Sequence, residues 1–216
     1  MKIKEIIIKR VGVVNMDTLL HGKIGYILGR ELIDNGYSNI NTDSFVYGNM
    51  LPDLNLKYRM TMHSKKEDWD KVLKIIDELA YSKEKINEDI SIKLGMLSHY
   101  LCDFFTFPHN ESFGKNIINH ELYEQAQRIL WWGKLSKIWE ECTEEIKVEL
   151  KSTKDMIVYI EDMYNIYIRN LGDKKRDLFF SNILIRVVCI SILKIRKNQK
   201  SLNSNQTINN IQSCAI

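Results

Sequence analysis

LSHYLCDFFTFPHN, residues 97–110, is the stretch on which the reading of this chain turns. It closes a run, NEDISIKLGMLSHYLCDFFTF (87–107), whose apolar residues recur at helical spacing. Pro108 ends that helix and delivers His109 on the following loop. Within the helix His99 and Asp103 stand four residues apart. That spacing puts an imidazole and a carboxylate on one face, one turn apart and pointing the same way. Zinc, a borderline-soft divalent ion, takes imidazole nitrogen and carboxylate oxygen as ligands, and a catalytic site keeps one position open for water.

Working outward, His120 and Glu124 form a second pair at i, i+4, eleven residues after His109. Upstream lie Asp53 and His63 in GNMLPDLNLKYRMTMHSKK, and further upstream His21 in LLHGKIGYILG. The chain has five histidines, and each falls into this series. A lone His-x-x-x-Asp is more often a surface pair or a satisfied pair than a ligand pair. Two such helices, a separate Asp/His pair and no histidine left over read instead as a polynuclear metal site. Cys102 lies between two of the ligand candidates, but its helical direction turns it away from the His99/Asp103 face and into the core.

The chain of 216 residues fits one domain with room for a sizeable core. Its 44% hydrophobic and 27% charged content describes an ordinary globule, neither disordered nor membranous. A net charge of +3 is too small to argue for nucleic acid and does not oppose an anionic substrate. Cys102, Cys142, Cys189 and Cys214 are scattered, with no C-x-x-C, and read as reduced structural thiols. No secretory leader is evident in MKIKEIIIKRVGVVNMDTLL, so a cytoplasmic protein is expected. The most apolar segment, Leu178–Ile195, carries Arg186 at its centre and reads as a buried core helix, not a transmembrane segment.

The organisation follows from punctuation. Residues 1–15 read as an arm or upstream extension, 16–198 as a helical domain, and 199–216, rich in Ser and Asn, as a disordered tail. A helix starts near Met16, capped by Asp17 or Thr18, and ends at Asn35-Gly36. Gly22, Gly25 and Gly29 within it do not follow a strand and lack a G-K-[ST], so close helix packing is their role. A short helix over 43–51 breaks before Pro52, and another covers 67–81. A helical region from about Ile117 to Leu150 bends near Gly133, and two more cover Lys154–Asn170 and Lys174–Lys197. No strand alternation follows residue 15. The fold class is all-α, a multi-helix bundle with metal ligands projecting inward from several helices and loops.

The series His21, Asp53, His63, His99, Asp103, His109, His120, Glu124, with the phrases LGMLSHYLCDFFTFPHN and HSKKEDW, resembles the bacterial zinc-dependent phospholipase C family. The resemblance is strong over roughly 16–150 and implies an all-helical domain with up to three zinc ions. It also implies hydrolysis of glycerophospholipids to diacylglycerol and a phosphorylated head group. Carried over by position, Asp53, His63, His99 and Asp103 surround one ion, and His109, His120 and Glu124 hold a second. His21 belongs to the third, with Asp103 bridging it to the first. The same resemblance places Asp53 beside the open site as ligand and general base. Secreted members complete the third site with an N-terminal Trp. Here Trp69, Trp131, Trp132 and Trp139 all follow the first three candidates, and Asp17, four before His21, stands as substitute ligand or as helix cap.

Clustered zinc ions suit phosphodiester cleavage because they acidify water and neutralise phosphoryl oxygens and the leaving alkoxide. Tyr58 and Phe107 are candidate lining for a head-group pocket, or else core. Two rival readings stand beside the lipase. Single-strand-specific zinc nucleases resemble this ligand plan, but the charge balance and the lack of a basic-aromatic stripe disfavour a nucleic-acid partner. The other is a metal-stabilised module that binds lipid or protein without turnover. The sequence leaves the oligomeric state open.

Overall fold

The computed structural model describes residues 16–55, 63–114, 116–142 and 148–213. Among these residues there are eight α-helices and no strand: α1 (Met16–Asp34), α2 (Thr42–Leu54), α3 (Lys65–Tyr81), α4 (Glu88–Phe104), α5 (Ile117–Trp132), α6 (Leu135–Glu141), α7 (Thr153–Tyr167) and α8 (Lys174–Ser213). Two 3₁₀ turns, Phe107–His109 and Glu111–Phe113, join α4 to α5. The all-α expectation holds. Residues 1–15, Tyr58, Cys214 and the side chain of Asp17 lie outside what is described, and with them the arm and the substitute-ligand reading.

Short polar side chains start the helices. Asn41, Ser64, Asn87, Asn116 and Ser152 each accept a hydrogen bond from the backbone N–H three residues on. Such a bond satisfies one of the donors every helix start leaves over. α1 stops where Asn35-Gly36 predicts. Gly36 adopts φ +90°, and the N–H of Tyr37 returns to the carbonyl of Leu32 at 3.1 Å.

α4 is the central helix. Its residues from Leu97 to Phe104 are all buried, and it packs against α2, α3 and α8. The α2–α4 crossing is closed by two glycines. A Cβ on Gly48 would lie 2.1 Å from the Ile92 carbonyl oxygen, and one on Gly95 would lie 2.2 Å from that of Phe45. No larger residue fits without moving a backbone, so this pair sets how closely α2 approaches α4. Gly25 similarly faces Asn49 of α2 at 3.0 Å, and Gly22 faces the Met50 thioether at 2.9 Å. The glycines of α1 therefore serve helix packing.

The structure departs from the sequence reading in four places. α2 runs through Pro52 to Leu54, because proline in the last turn forgoes one bond, and the Asn55 N–H still reaches the Leu51 carbonyl at 3.0 Å. α4 ends at Phe104, three residues short of the expected boundary, so Pro108 lies in a 3₁₀ turn of its own. The bend expected near Gly133 falls there but is a full break, which divides the region after Ile117 into α5 and α6. α8 continues beyond Lys197 to Ser213, across most of the stretch expected to be disordered. From Asp173 to Ile216 the chain contains neither Gly nor Pro to stop a helix.

The portion Lys174–Gln199 of α8 is also long and apolar enough to span a membrane, which the shorter reading of Leu178–Ile195 missed. Its packing is that of a core helix, with 83% of the apolar window buried inside the fold. Arg186 is buried with it and forks onto the Glu31 carboxylate at 2.7 and 3.0 Å while donating to the Trp139 carbonyl at 2.9 Å. A buried guanidinium needs such partners, since an unpaired one would cost several kcal/mol.

Candidate metal centre

The eight candidate side chains come from α1 (His21), the last turn of α2 (Asp53), the residue before the α3 cap (His63), α4 (His99, Asp103), the first 3₁₀ turn (His109) and α5 (His120, Glu124). The fold gathers them into three groups: His21/His99/Asp103, Asp53/His63/His99 and His109/His120/Glu124. Within each group the candidate ligand atoms lie within 4.8 Å of one another.

Asp103 is the junction. Its Oδ1 lies 3.0 Å from His21 Nε2 and 3.8 Å from His109 Nε2, and its Oδ2 lies 3.1 Å from His99 Nε2. The carboxylate is 1% exposed, and every ion-pair partner described for it is an imidazole. Burial works against ionisation, yet His109, His99 and His21 together hold its carboxyl well below the usual range.

The state of His99 follows from its other nitrogen. Nδ1 lies 2.8 Å from the Asn49 carbonyl oxygen, which can only accept, so the proton is on Nδ1. In the neutral ring Nε2 then presents a lone pair toward Asp103 Oδ2 and, at 3.7 Å, toward Asp53 Oδ1. His99 Nε2 and both Asp103 oxygens are buried yet meet no hydrogen-bond geometry. A divalent cation stabilises nitrogen and oxygen lone pairs that converge in a buried space, and the N/O donor set suits zinc. The residues fit the ion. His99 falls in two groups, but one imidazole lone pair serves one ion, whereas the two oxygens of Asp103 can serve two.

Neighbours hold the remaining ligands in place. His63 has φ +47°, the one non-glycine residue with positive φ among those described. That costs backbone energy and is kept where surrounding structure demands it. Its Nδ1 lies 3.5 Å from Asp68 Oδ2. Burial of Asp68 is outweighed by hydrogen bonding to His63 and the charge of Lys71, and its carboxyl stays below the ordinary value. Thr18 Oγ1 donates to Asp53 Oδ2 at 3.1 Å, leaving Oδ1 toward His99. In the third group Glu124 Oε1 lies 2.5 Å from His120 Nε2 and 3.4 Å from His109 Nε2. Despite burial, hydrogen bonds to those two imidazoles bring the Glu124 carboxyl down to about 2.

Sequence reasoning did not single out Thr18, Asn49 or Asp68. A threonine on α1, a backbone carbonyl on α2 and an aspartate in the first turn of α3 carry no pattern of their own. Only the tertiary fold brings them to the ligands. Of the two roles open to Phe107, packing is the one seen. Its ring packs into an aromatic cluster, 4.9 Å from Phe113 and 5.8 Å from Tyr123.

A cleft of about 410 Å³ opens beside His109, lined by Ser64, Lys65, Trp69 and Tyr164 among others. The Lys65 ammonium sits 4.5 Å from the Trp69 ring centre and 4.8 Å from that of Tyr164, and it pairs with Glu161 at 2.8 Å. The cleft beside His109 thus offers aromatic faces and both signs of charge.

An all-α protein whose core helix gathers buried His/carboxylate groups has the donor set to hold several divalent ions. The chain belongs to the zinc-dependent phospholipase C family, whose family model matches residues 21–174 and so spans all eight candidates. The family implies a zinc-dependent hydrolase and a lipid substrate. No match was found among curated proteins or among solved structures.

Proposed function

We propose that this chain is a phosphodiester hydrolase of phospholipase C type, cleaving glycerophospholipids to diacylglycerol and a phosphorylated head group. The observation that carries the reading is the convergence of three His/carboxylate groups on Asp103 beside an open cleft. Asp53, His63 and His99 would hold one zinc ion, His109, His120 and Glu124 a second, and His21 with Asp103 a third. When bound, zinc supplies Lewis acidity toward phosphoryl oxygens and toward water.

The protein's own groups divide the remaining work. Asp103 joins the groups through its two oxygens. Asp53 is the most accessible carboxylate of the centre, its side chain 14% exposed against 2% for Asp103 and 6% for Glu124. A base must meet both water and the reacting phosphorus, which favours the partly exposed residue. Thr18 keeps one Asp53 oxygen occupied and orients the other. The cleft beside His109 has the size and aromatic lining to seat a polar head group.

The test is turnover by zinc-loaded protein of phosphatidylcholine vesicles, bis-p-nitrophenyl phosphate and single-stranded DNA. Zinc-dependent release of diacylglycerol is the expected result. Cleavage of DNA without diacylglycerol would make the protein a nuclease, and full zinc content without any turnover would make it a binding module.

A further inference from the structure

Asp177 lies in the first turn of α8, is 1% exposed, and is three residues beyond the stretch matched by the family model. Its carboxylate gathers four donors. Oδ2 accepts from Tyr123 Oη at 2.8 Å, Gln127 Nε2 at 2.8 Å and the Phe107 backbone N–H at 3.3 Å, and Oδ1 accepts from Tyr167 Oη at 2.8 Å. Those donors sit beside metal-centre residues. Phe107 is two residues before His109, Tyr123 adjoins Glu124, and Gln127 is one turn after Glu124 on the buried face of α5.

We propose that Asp177 is a positioning residue for the His109/His120/Glu124 group, tying the turn that carries His109 to the helix that carries His120 and Glu124. The physical reasons are geometric. His109 comes from a three-residue 3₁₀ turn and the other two from α5, so nothing within either element sets their separation. A single oxygen that accepts from both elements does set it. A second tie runs parallel, where Trp131 Nε1 of α5 donates to the Lys174 carbonyl at 3.0 Å at the start of α8. Four donors directed at two oxygens require a carboxylate. An amide offers one oxygen and turns an NH₂ toward the remaining hydrogens.

The bonds do not reach the other two groups, so the effect of Asp177 should be confined to one ion. Partners that orient metal ligands in this way typically change affinity by about 10–100-fold when removed. The proposal rests on the reading that His109, His120 and Glu124 hold zinc, and the experiment separates the two claims. Stepwise zinc affinities would be measured by chelator competition, with cobalt substitution giving a visible spectrum of the sites. Wild type, Glu124→Ala, Asp177→Asn and the double variant would be compared, together with Tyr123→Phe, which removes one donor and leaves the buried carboxylate in place.

Glu124→Ala should lose one ion. Asp177→Asn should weaken that same ion by about 10–100-fold with an altered cobalt band, and leave the other affinities as in wild type. Tyr123→Phe should weaken it by a smaller factor in the same direction. In the Glu124→Ala background Asp177→Asn should change nothing further. Equal weakening of every ion, or an effect that persists without Glu124, would overturn the positioning role and reduce Asp177 to general stability. No ion lost in Glu124→Ala would overturn the metal reading of this group and the proposal with it.

Discussion

His99 Nδ1 and the Asn49 carbonyl oxygen lie 2.8 Å apart, joining the central helix to α2 by a bond that leaves the other ring nitrogen, Nε2, facing the candidate metal centre. Because the acceptor is backbone, its position depends on how closely α2 approaches α4. That approach is set by Gly48 and Gly95. A packing constraint thus reaches the chemistry of a ligand.

Gly48→Ala and Gly95→Ala should therefore be costly in two ways. Each added methyl would meet a backbone carbonyl oxygen at 2.1–2.2 Å, which forces the helices apart. We expect a loss of at least ~1–3 kcal/mol in denaturant unfolding, as for other overpacked cores. Zinc affinity should fall with it. Gly22→Ala should be milder, because the atom it meets is the Met50 thioether, which can turn aside. Equal stability of all three variants would dismiss the glycine contact as a constraint.

Asp53→Asn should preserve the fold while lowering turnover by roughly 10²–10⁴-fold, the range expected for removal of a general base. Thr18→Val should act in the same direction more weakly, since it releases Asp53 Oδ2 without removing the base. An Asp53→Asn enzyme with the wild-type rate would take that residue out of the mechanism.

Acid should act on the metal-free protein through Glu124. Its carboxyl is brought down to about 2 in the folded chain, below the ~4.3 of an unperturbed glutamate. A lowered folded value means the group contributes stability fully above the unfolded value and loses it as pH falls through the folded one. Chelator-treated wild type should lose this contribution between about pH 4 and pH 2. Glu124→Gln should show a shallower acid limb in the same window. An identical limb in both proteins would contradict the assignment.

Much of the candidate centre was legible in the sequence because i, i+4 pairing is a local property. His99/Asp103 and His120/Glu124 announce themselves on any helix. Asp53, His63 and His21 were legible by chemistry, as the remaining imidazoles and a carboxylate near one of them. What escaped was set by contacts distant in sequence. Asp177 reaches α5 across 50 residues to Gln127, and Thr18 reaches Asp53 across 35. The positive φ of His63 also carried no pattern in the sequence. Pro52 misled because a breaker in the last turn costs one hydrogen bond instead of a helix. The length of α8 was underread because Ser and Asn suggest loops, although neither stops a helix without Gly or Pro.

Metal removal should lower stability broadly, since ions bound to the folded chain alone add to its stability. Chelation is expected to reduce the Tm of the wild type and to have a smaller effect on Glu124→Ala, which begins with one ion fewer. Unchanged melting on chelation would show that the buried lone pairs around Asp103 are satisfied in another way.

Elemental analysis of metal bound per chain, after zinc loading and exhaustive dialysis, tests the central claim most directly. Three His/carboxylate groups within one core predict at least two zinc ions per wild-type chain, and about one fewer in Glu124→Ala. A wild-type protein that retains one equivalent or less would contradict the polynuclear centre and the phosphodiester chemistry built on it.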